Sequence, residues 1–508
     1  MIKNQSKLTA MFISYAATGM TMVANIILKP FYIAHFGLDG YGLYTYIYAI
    51  AQYAIVMDLG ISTVMTKYIT EYRSKKDKIG EKNFAFHCLL IVIGAVTILS
   101  VMGIIIYNLM PGILSNRPAE SIVLGMKMVR WMFLQIAVVL FQHYFDGIML
   151  AYERFKVVKG IALLRTVLRF GLTLVLILGG NDVVSIAIGD AIATIICVIV
   201  SVIYVFFNIK SRMRWYRWEF KVMRQAGILM TALLLQSVTT YFNNSVGKIL
   251  LGAMVNDSAV AIFDIAMTFI MVLTELPVIT NSVFLPSVTK LVVNNADGHR
   301  LTDEVIKVGR YQMLICSLIF GGFLLFGQHF LKLWTGENTL VAWFVALIMM
   351  IPTAIPLIQQ ICLSILTAKD KRIFRSLILI GCTGLNFGIS IVLIPYLGIF
   401  GVAIGTALSL IIGNIIIMNI YYKKKIKIEI GRMFREIMKG ILPCFIITTI
   451  VCSLLLLIPL QGYVWLFTEA IIFCIVFAVL LYFFGLNSYE KARVDHILKR
   501  RNISGYNS

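Results

Sequence analysis

Lys29 and Lys248 each close a polar series written along an otherwise apolar stretch: Ser14, Thr18, Thr21, Asn25 and Lys29 in one, Gln236, Thr240, Asn243, Asn244 and Lys248 in the other. Steps of three and four residues put each series on one face of a helix. Asp264, Thr268 and Glu275 share a face in the same way, as do Gln135, Gln142 and Asp146, with His143 beside them. Arg165 and Arg169 lie one turn apart, and Asp190 on the next apolar stretch is the available partner. Two chemistries suit such residues. Interhelical hydrogen bonds and ion pairs would glue the helices together. The alternative is an aqueous cavity in which the cations hold an anionic headgroup, arginine gripping phosphate through its planar fork.

A cation that recurs in two matching series favours the cavity for the Lys29 and Lys248 faces. Snorkelling of both lysines to the external interface stays open beside it. Arg165 and Arg169 stay open between an ion pair with Asp190 and the headgroup. The candidate substrate-binding residues are therefore Lys29, Lys248, Arg165, Arg169, Asn25 and Asn244. Asp58, Asp264 and Glu275 are candidates to pair with these cations or to take the proton or Na⁺ that drives a transport cycle.

Other chemistries lack their residues. There is no GxxxxGK[ST] loop to cradle nucleotide phosphates, which excludes direct ATP hydrolysis as the energy source. No HExxH and no Cys/His ligand spacing occurs, and His35, His87, His143, His299, His329 and His496 are scattered, so no metal or cofactor is expected. Cys88, Cys197, Cys316, Cys362, Cys382, Cys444, Cys452 and Cys474 all fall in apolar runs without CxxC spacing and read as small core residues. The intramembrane carboxylates suit transport better than acid–base work on a bond, so no enzyme is expected.

The elements that must position these groups follow from composition. The chain has 508 residues, 60% hydrophobic and 14% charged, with a mean hydropathy of +0.89. Soluble domains run about 45–50% apolar and ~25% charged. Soluble, disordered, collagen-like and disulfide-scaffold classes are excluded, and long uninterrupted apolar runs exclude an outer-membrane barrel. An all-α polytopic membrane protein remains. Its first apolar stretch, from Leu8 to about Phe36, is too long for a signal-peptide core and is expected to stay as a span.

Runs of ~20 mostly apolar residues predict fourteen transmembrane helices at 9–35, 41–66, 84–110, 124–150, 157–179, 183–208, 226–250, 259–287, 306–331, 340–367, 373–395, 399–421, 438–459 and 463–485. The N-terminus, the even-numbered loops and the C-terminus then hold 37 of the 45 Lys and Arg, among them Lys75, Lys76, Lys78, Arg212, Arg214, Arg217, Lys423, Lys424, Lys425, Arg500 and Arg501. The remaining eight are Lys29, Arg117, Lys127, Arg130, Arg165, Arg169, Lys248 and Lys332. The positive-inside rule places both termini in the cytoplasm. The net charge of +21 is thus topological, and nucleic acid is not an expected partner. Trp215-Tyr216-Arg217-Trp218-Glu219-Phe220 is expected at the interface as an aromatic-rich amphipathic piece.

The chain also repeats itself. Phe170-Gly171-Leu172-Thr173-Leu174-Val175-Leu176-Ile177 returns as Phe387-Gly388-Ile389-Ser390-Ile391-Val392-Leu393-Ile394 at an offset of 217, with five of eight positions identical. Ala187-Ile188-Gly189-Asp190-Ala191 returns as Ala403-Ile404-Gly405-Thr406-Ala407 at 216, and Asp58-Leu59-Gly60 faces Glu275-Leu276-Pro277 at 217. Thr18, Thr21, Asn25 and Lys29 map onto Ser237, Thr240, Asn244 and Lys248 at 219. The expected organisation is an N-lobe of six spans (1–208), a cytoplasmic linker (209–225), a C-lobe of six spans (226–421), a basic loop (422–437), two appended spans (438–485) and a basic tail (486–508). An even separation gives both lobes one orientation, so this is the parallel-repeat type of transporter, pseudo-symmetric about the membrane normal.

A 6+6+2 duplication, Phe36-Gly37-Leu38-Asp39-Gly40-Tyr41-Gly42-Leu43-Tyr44 after the first span, and Asp58-Leu59-Gly60 in the second resemble the polysaccharide-transporter (Wzx-like O-antigen and capsule flippase) family of the multidrug/oligosaccharidyl-lipid/polysaccharide exporter superfamily. Leu366-Thr367-Ala368-Lys369-Asp370-Lys371 and Gly398-Ile399-Phe400-Gly401-Val402-Ala403-Ile404-Gly405 fit the same branch. The resemblance covers about residues 8–485. It implies a flippase that moves undecaprenyl-diphosphate-linked oligosaccharide from the inner to the outer leaflet of a bacterial inner membrane by alternating access, for O-antigen, capsule or exopolysaccharide synthesis. The implied partners are the lipid-linked glycan, a coupling H⁺ or Na⁺, the bilayer, and a glycan polymerase and glycosyltransferases. The alternatives are an ion-coupled small-molecule or multidrug antiporter on the same fold, and a lipid II flippase, whose arginine-rich signature in the first two spans this sequence lacks. A membrane-embedded glycan polymerase or ligase would want a large external catalytic loop, and no such loop occurs.

Overall fold

The computed structural model describes residues 2–294, 297–369, 373–458, 460, 462–492 and 495; within it the side chains of residues 2–18, 55–57, 235–236, 239–240, 243–244, 276, 278–283, 285–287, 367 and 373 are outside the described set. Among the described residues every regular element is helical and no strand occurs. The helices are α1 (Ile2–Gln52), α2 (Ile61–Ser74), α3 (Lys78–Ile113), α4 (Ala119–Ala151), α5 (Phe155–Leu178), α6 (Val184–Ile203), α7 (Phe220–Met254), α8 (Asp257–Val293) and α9 (Gly298–Trp334). They continue as α10 (Val341–Ile358), α11 (Gln360–Ala368), α12 (Ile373–Leu397), α13 (Ile399–Leu410), α14 (Met418–Tyr421), α15 (Ile430–Met438), α16 (Ile441–Ser453) and α17 (Tyr463–Leu480). In lipid every backbone polar group must be satisfied within its segment, which only helices and closed barrels achieve.

Outward faces carry bare apolar side chains, Ile104, Val175, Val392 and Val464 among them, as a hydrocarbon solvent requires. The chain is a multi-pass membrane protein. Among the described residues eleven helices are long and apolar enough to cross a bilayer, or twelve when Ile430–Met438 and Ile441–Leu457, bent by 40°, count as one span. The fourteen expected spans are therefore not all established. The expected first span and the first part of the second share α1, which turns at Gly37 (φ 70°, ψ 176°), a region that only glycine enters freely. The second span is broken again by the tight turn Tyr53–Asp58 and left-handed Leu59 and Gly60 before α2 resumes it. The seventh falls on α7, where Ser245–Met254 is a short apolar helix among the described residues. The tenth breaks at Gln359 between α10 and α11, just after Pro352 and Pro356. The thirteenth falls on α16 and the turn that follows it, preceded by amphipathic α15, which buries Met433 and Ile437.

Packing divides the chain into Met1–Asp264 and Ile265–Ser508. The duplicated sequence is duplicated geometry within each. On α6 a Cβ at Gly189 would stand 2.5 Å from Thr173 Oγ1 of α5; on α13 a Cβ at Gly405 would stand closer still to Ser390 Oγ of α12. Both helix pairs approach this closely because the upper residue has no side chain. Asp77 caps α3 by accepting from Gly80 N at 2.8 Å, and Asp297 caps α9 by accepting from Arg300 N at 3.0 Å. The widened turn Tyr204–Ile209 ends at left-handed Lys210, and Tyr422–Ile426 ends at left-handed Lys427. Gly189→Ala is expected to destabilise the protein by ~1–3 kcal/mol through overpacking. A lowered thermal transition, partly recovered in Gly189→Ala/Thr173→Ala, is the measurement.

Residues 211–219, which include Trp215 to Glu219, run without regular structure, and Phe220 opens α7. Asn83 straps them to α3, its Oδ1 accepting from Tyr216 N (2.9 Å) and Arg217 N (3.2 Å) and its Nδ2 donating to the Arg217 carbonyl (2.8 Å). Seven cysteines are buried as expected; Cys474 is exposed instead, and all eight are free.

Candidate functional site

Lys29 on α1, Lys248 on α7 and Asp264 on α8 meet. Asp264 Oδ2 accepts from Lys29 Nζ at 2.6 Å and from the Tyr41 hydroxyl at 2.6 Å, and Oδ1 accepts from Lys248 Nζ at 2.5 Å. Lys29 also donates to the Asp264 backbone carbonyl at 3.0 Å. The three side chains are only 12–16% exposed. Neither lysine snorkels. Two ammonium groups share one carboxylate, so the cluster carries one net positive charge. Among the described residues, Asp264 is the coupling candidate that pairs with lysines. Tyr41 has no sequence signal of its own as a member of this cluster, although it belongs to the Phe36–Tyr44 motif whose Gly37 turn precedes it.

One level further toward the α7–α8 turn, Arg117 pins the same helices. Its Nε and Nη2 donate to Asp257 at 2.8 and 2.6 Å, Nη2 also donates to the Gly252 carbonyl at 2.8 Å, and the guanidinium lies 4.7 Å from the Tyr46 ring centroid. Ser258 Oγ donates to Asp39 Oδ1 at 2.5 Å. A Cβ at Gly42 would collide with the Asp257 carbonyl, so this approach requires glycine.

Asp58, at the end of the tight turn before α2, sits with His143 of α4. His143 Nδ1 is 2.8 Å from Asp58 Oδ1, with the two side chains 34% and 21% exposed. One residue back, Gln142 Nε2 donates to Asp146 Oδ1 (2.8 Å) and to Ser201 Oγ (2.9 Å). The polar face of α4 thus splits. Gln142 reaches across to α6, while His143 reaches the carboxylate at the broken span. The sequence places His143 only beside that face; its pairing with Asp58 depends on the break, which the apolar count of the second span conceals.

Arg165 Nη2 donates to Asp190 Oδ1 at 3.1 Å, the ion pair that is one of its two expected roles. Arg169, one turn on, has a buried Nε with no hydrogen-bond partner among the described residues. Asp190, Tyr44, Tyr32 and Tyr48 are the charged and phenolic groups that act on the guanidinium. A buried donor left without an acceptor costs about 1–3 kcal/mol.

Asn25 is half-buried, with Thr21 one turn before it hydrogen-bonded to Thr166 of α5 at 3.1 Å. Glu275 makes no ion pair among the described residues. The side chains of Asn244, Ser14, Thr18, Gln236, Thr240 and Asn243 lie outside the described residues, as do Asp370, Lys371, His496, Arg500 and Arg501. Among the described residues no group of three or more His, Cys, Asp or Glu could hold a metal ion.

Known structures share this arrangement of helices. A lipid II flippase, MurJ, in an inward closed conformation superposes with a TM-score of 0.71 at 14% identity, covering 92% of this chain and 98% of its own. An inward-facing multidrug resistance transporter of the MATE family, within the MOP superfamily, gives 0.64 at 17% identity, covering 82% and 98%. The Vibrio cholerae MATE transporter VcmN, in its bent form, gives 0.54 at 14% identity, covering 83% and 98%. At these identities the likeness shows the fold alone. No curated protein matches the chain. The chain belongs to the polysaccharide biosynthesis protein family, whose model matches residues 8–292.

Proposed function

We propose that this protein moves the diphosphate-linked head of an undecaprenyl-carried oligosaccharide from the inner to the outer leaflet of a bacterial inner membrane, with both termini cytoplasmic. The observation that carries the reading is the set of cations on the α1, α5 and α7 helices. The Lys29–Asp264–Lys248 cluster keeps one net positive charge, and Arg169 offers an Nε donor that no described residue of the protein uses. A diphosphate supplies what such donors lack: several acceptor oxygens and a negative charge on a group that fits a planar fork. The polyprenyl tail needs no site of its own, because it stays in hydrocarbon while the head crosses. Membership of a polysaccharide biosynthesis family supports the glycan cargo.

Movement is alternating access, the lobes 1–208 and 226–421 rocking about the head. Asp58 with His143 is the proposed coupling site, since imidazole takes up a proton to form an ion pair with the carboxylate and on releasing it leaves the part-exposed Asp58 charge hydrogen-bonded to the neutral ring. His143→Gln is expected to abolish stimulation of transport by an imposed pH gradient while leaving substrate binding in place. A Na⁺-driven cycle would instead show Na⁺ dependence that survives this substitution.

Deletion of the gene is the direct test of the cargo. Lipid-linked oligosaccharide should accumulate in the inner leaflet, with loss of surface polysaccharide. An unchanged surface polysaccharide with increased drug sensitivity would point to the antiporter alternative, and lysis with accumulated lipid II to the other flippase.

A further inference from the structure

A second electropositive site, separate from the Lys29–Asp264 cluster, lies at the end of the first packing unit where α2, α3, α4 and α6 meet their loops. A cavity of about 510 Å³ is lined by Arg73, Lys76, Asp77, Lys78, Glu81, Lys82, Tyr152, Lys210, Ser211 and Arg212. Its acids are already engaged. Asp77 caps α3, and Glu81 Oε1 accepts from the Tyr152 hydroxyl. Arg73 is also occupied: it donates to the Ala151 carbonyl and lies 3.7 Å from the Tyr152 ring centroid. Lys76, Lys78, Lys82, Lys210 and Arg212 form no ion pair among the described residues. The lining holds six cations against two carboxylates, whose hydrogen bonds to neutral donors leave their charge in place, so four positive charges stay in excess and an anion inside the cavity relieves their repulsion.

Depth gives the anion's source. The strap that supplies Lys210 and Arg212 continues into Trp215, Tyr216, Trp218 and Phe220, all exposed, with Trp218 packed edge-on against His87 of α3 at 4.8 Å. Amphipathic aromatics of this kind collect at the headgroup level of a bilayer. Basic residues at that depth attract anionic lipids.

We propose that this cavity binds the phosphate of an anionic phospholipid headgroup, with Lys82, Lys210 and Arg212 as its principal contacts. The bound lipid would tie the strap between α6 and α7 to the start of α3. The test uses the full-length protein in nanodiscs of phosphatidylcholine doped with phosphatidylglycerol, with native mass spectrometry counting retained phosphatidylglycerol and inorganic pyrophosphate as the soluble competitor. Lys82→Gln/Lys210→Gln/Arg212→Gln is expected to lower phosphatidylglycerol affinity about fivefold per cation, roughly a hundredfold in all. Lys210→Glu/Arg212→Glu, confined to exposed strap residues, should lose at least as much should the first variant fold poorly. Lys423→Gln/Lys424→Gln, in another basic loop, should change little. Equal loss in that control, undiminished binding in both pocket variants, or retention of pyrophosphate without phosphatidylglycerol would overturn the proposal.

Discussion

Asp264→Asn is expected to be the most damaging single substitution on the α1–α7 seam. The carboxylate sits between two ammonium groups that approach it at 2.6 and 2.5 Å, and all three side chains are largely buried. Removing it converts a cluster of one net positive charge into two like charges held close together. Breaking a buried pair by deleting one partner costs about 3–5 kcal/mol, because the remaining charge is left uncompensated. The thermal transition of Asp264→Asn in detergent should fall accordingly, and transport should be lost. Asp264→Asn/Lys248→Met restores the net charge of one and should recover much of the stability. If both variants unfold alike, charge compensation is not what the carboxylate contributes. Replacing Lys29 and Lys248 together would be a poorer test of headgroup binding, since it strands Asp264 without a cation.

Arg169 separates stability from function. Its Nε has no acceptor among the described residues, whereas Asp190 remains paired with Arg165 when Arg169 is removed. Arg169→Ala should therefore leave the fold close to intact. If the guanidinium receives the diphosphate, the variant loses a charge-assisted hydrogen bond of ~1.5–3 kcal/mol, about a 10- to 150-fold drop in affinity. Arg169→Lys keeps the charge without the planar fork and should recover little. Binding of a short-chain polyprenyl diphosphate to purified variants measures both. Full affinity in Arg169→Lys would show that charge alone is read, and unchanged affinity in Arg169→Ala would remove Arg169 from the site.

The apolar runs and the repeat are legible in the sequence because both are periodic. Thr173 over Gly189 and Ser390 over Gly405 stand at matching places, spaced by the offsets that the letters show. The interruptions are not legible. Gly37, the tight turn ending at Asp58 and the break at Gln359 leave hydropathy almost unchanged, yet they decide which polar groups face one another. The lysine stripes on α1 and α7 are visible as helical faces, but their common partner lies on a third helix and comes from tertiary packing. Arg165 with Asp190 is foreseeable because neighbouring helices in a hairpin pack together. Arg117 with Asp257 is not, since a loop arginine and a helix-start aspartate 140 positions apart carry no shared pattern.

On the proposed function, a lipid-linked diphosphate head crosses the bilayer through a cationic site that includes Arg169. Reconstitution into liposomes with a labelled short-chain polyprenyl-diphosphate disaccharide, whose exposure on the outer leaflet is followed with time, tests it most directly. Protein-dependent translocation is expected from the wild type, and little from Arg169→Ala at equal reconstitution. Absence of translocation by the wild type, with efflux of cationic dyes that Arg169→Ala leaves untouched, would contradict it.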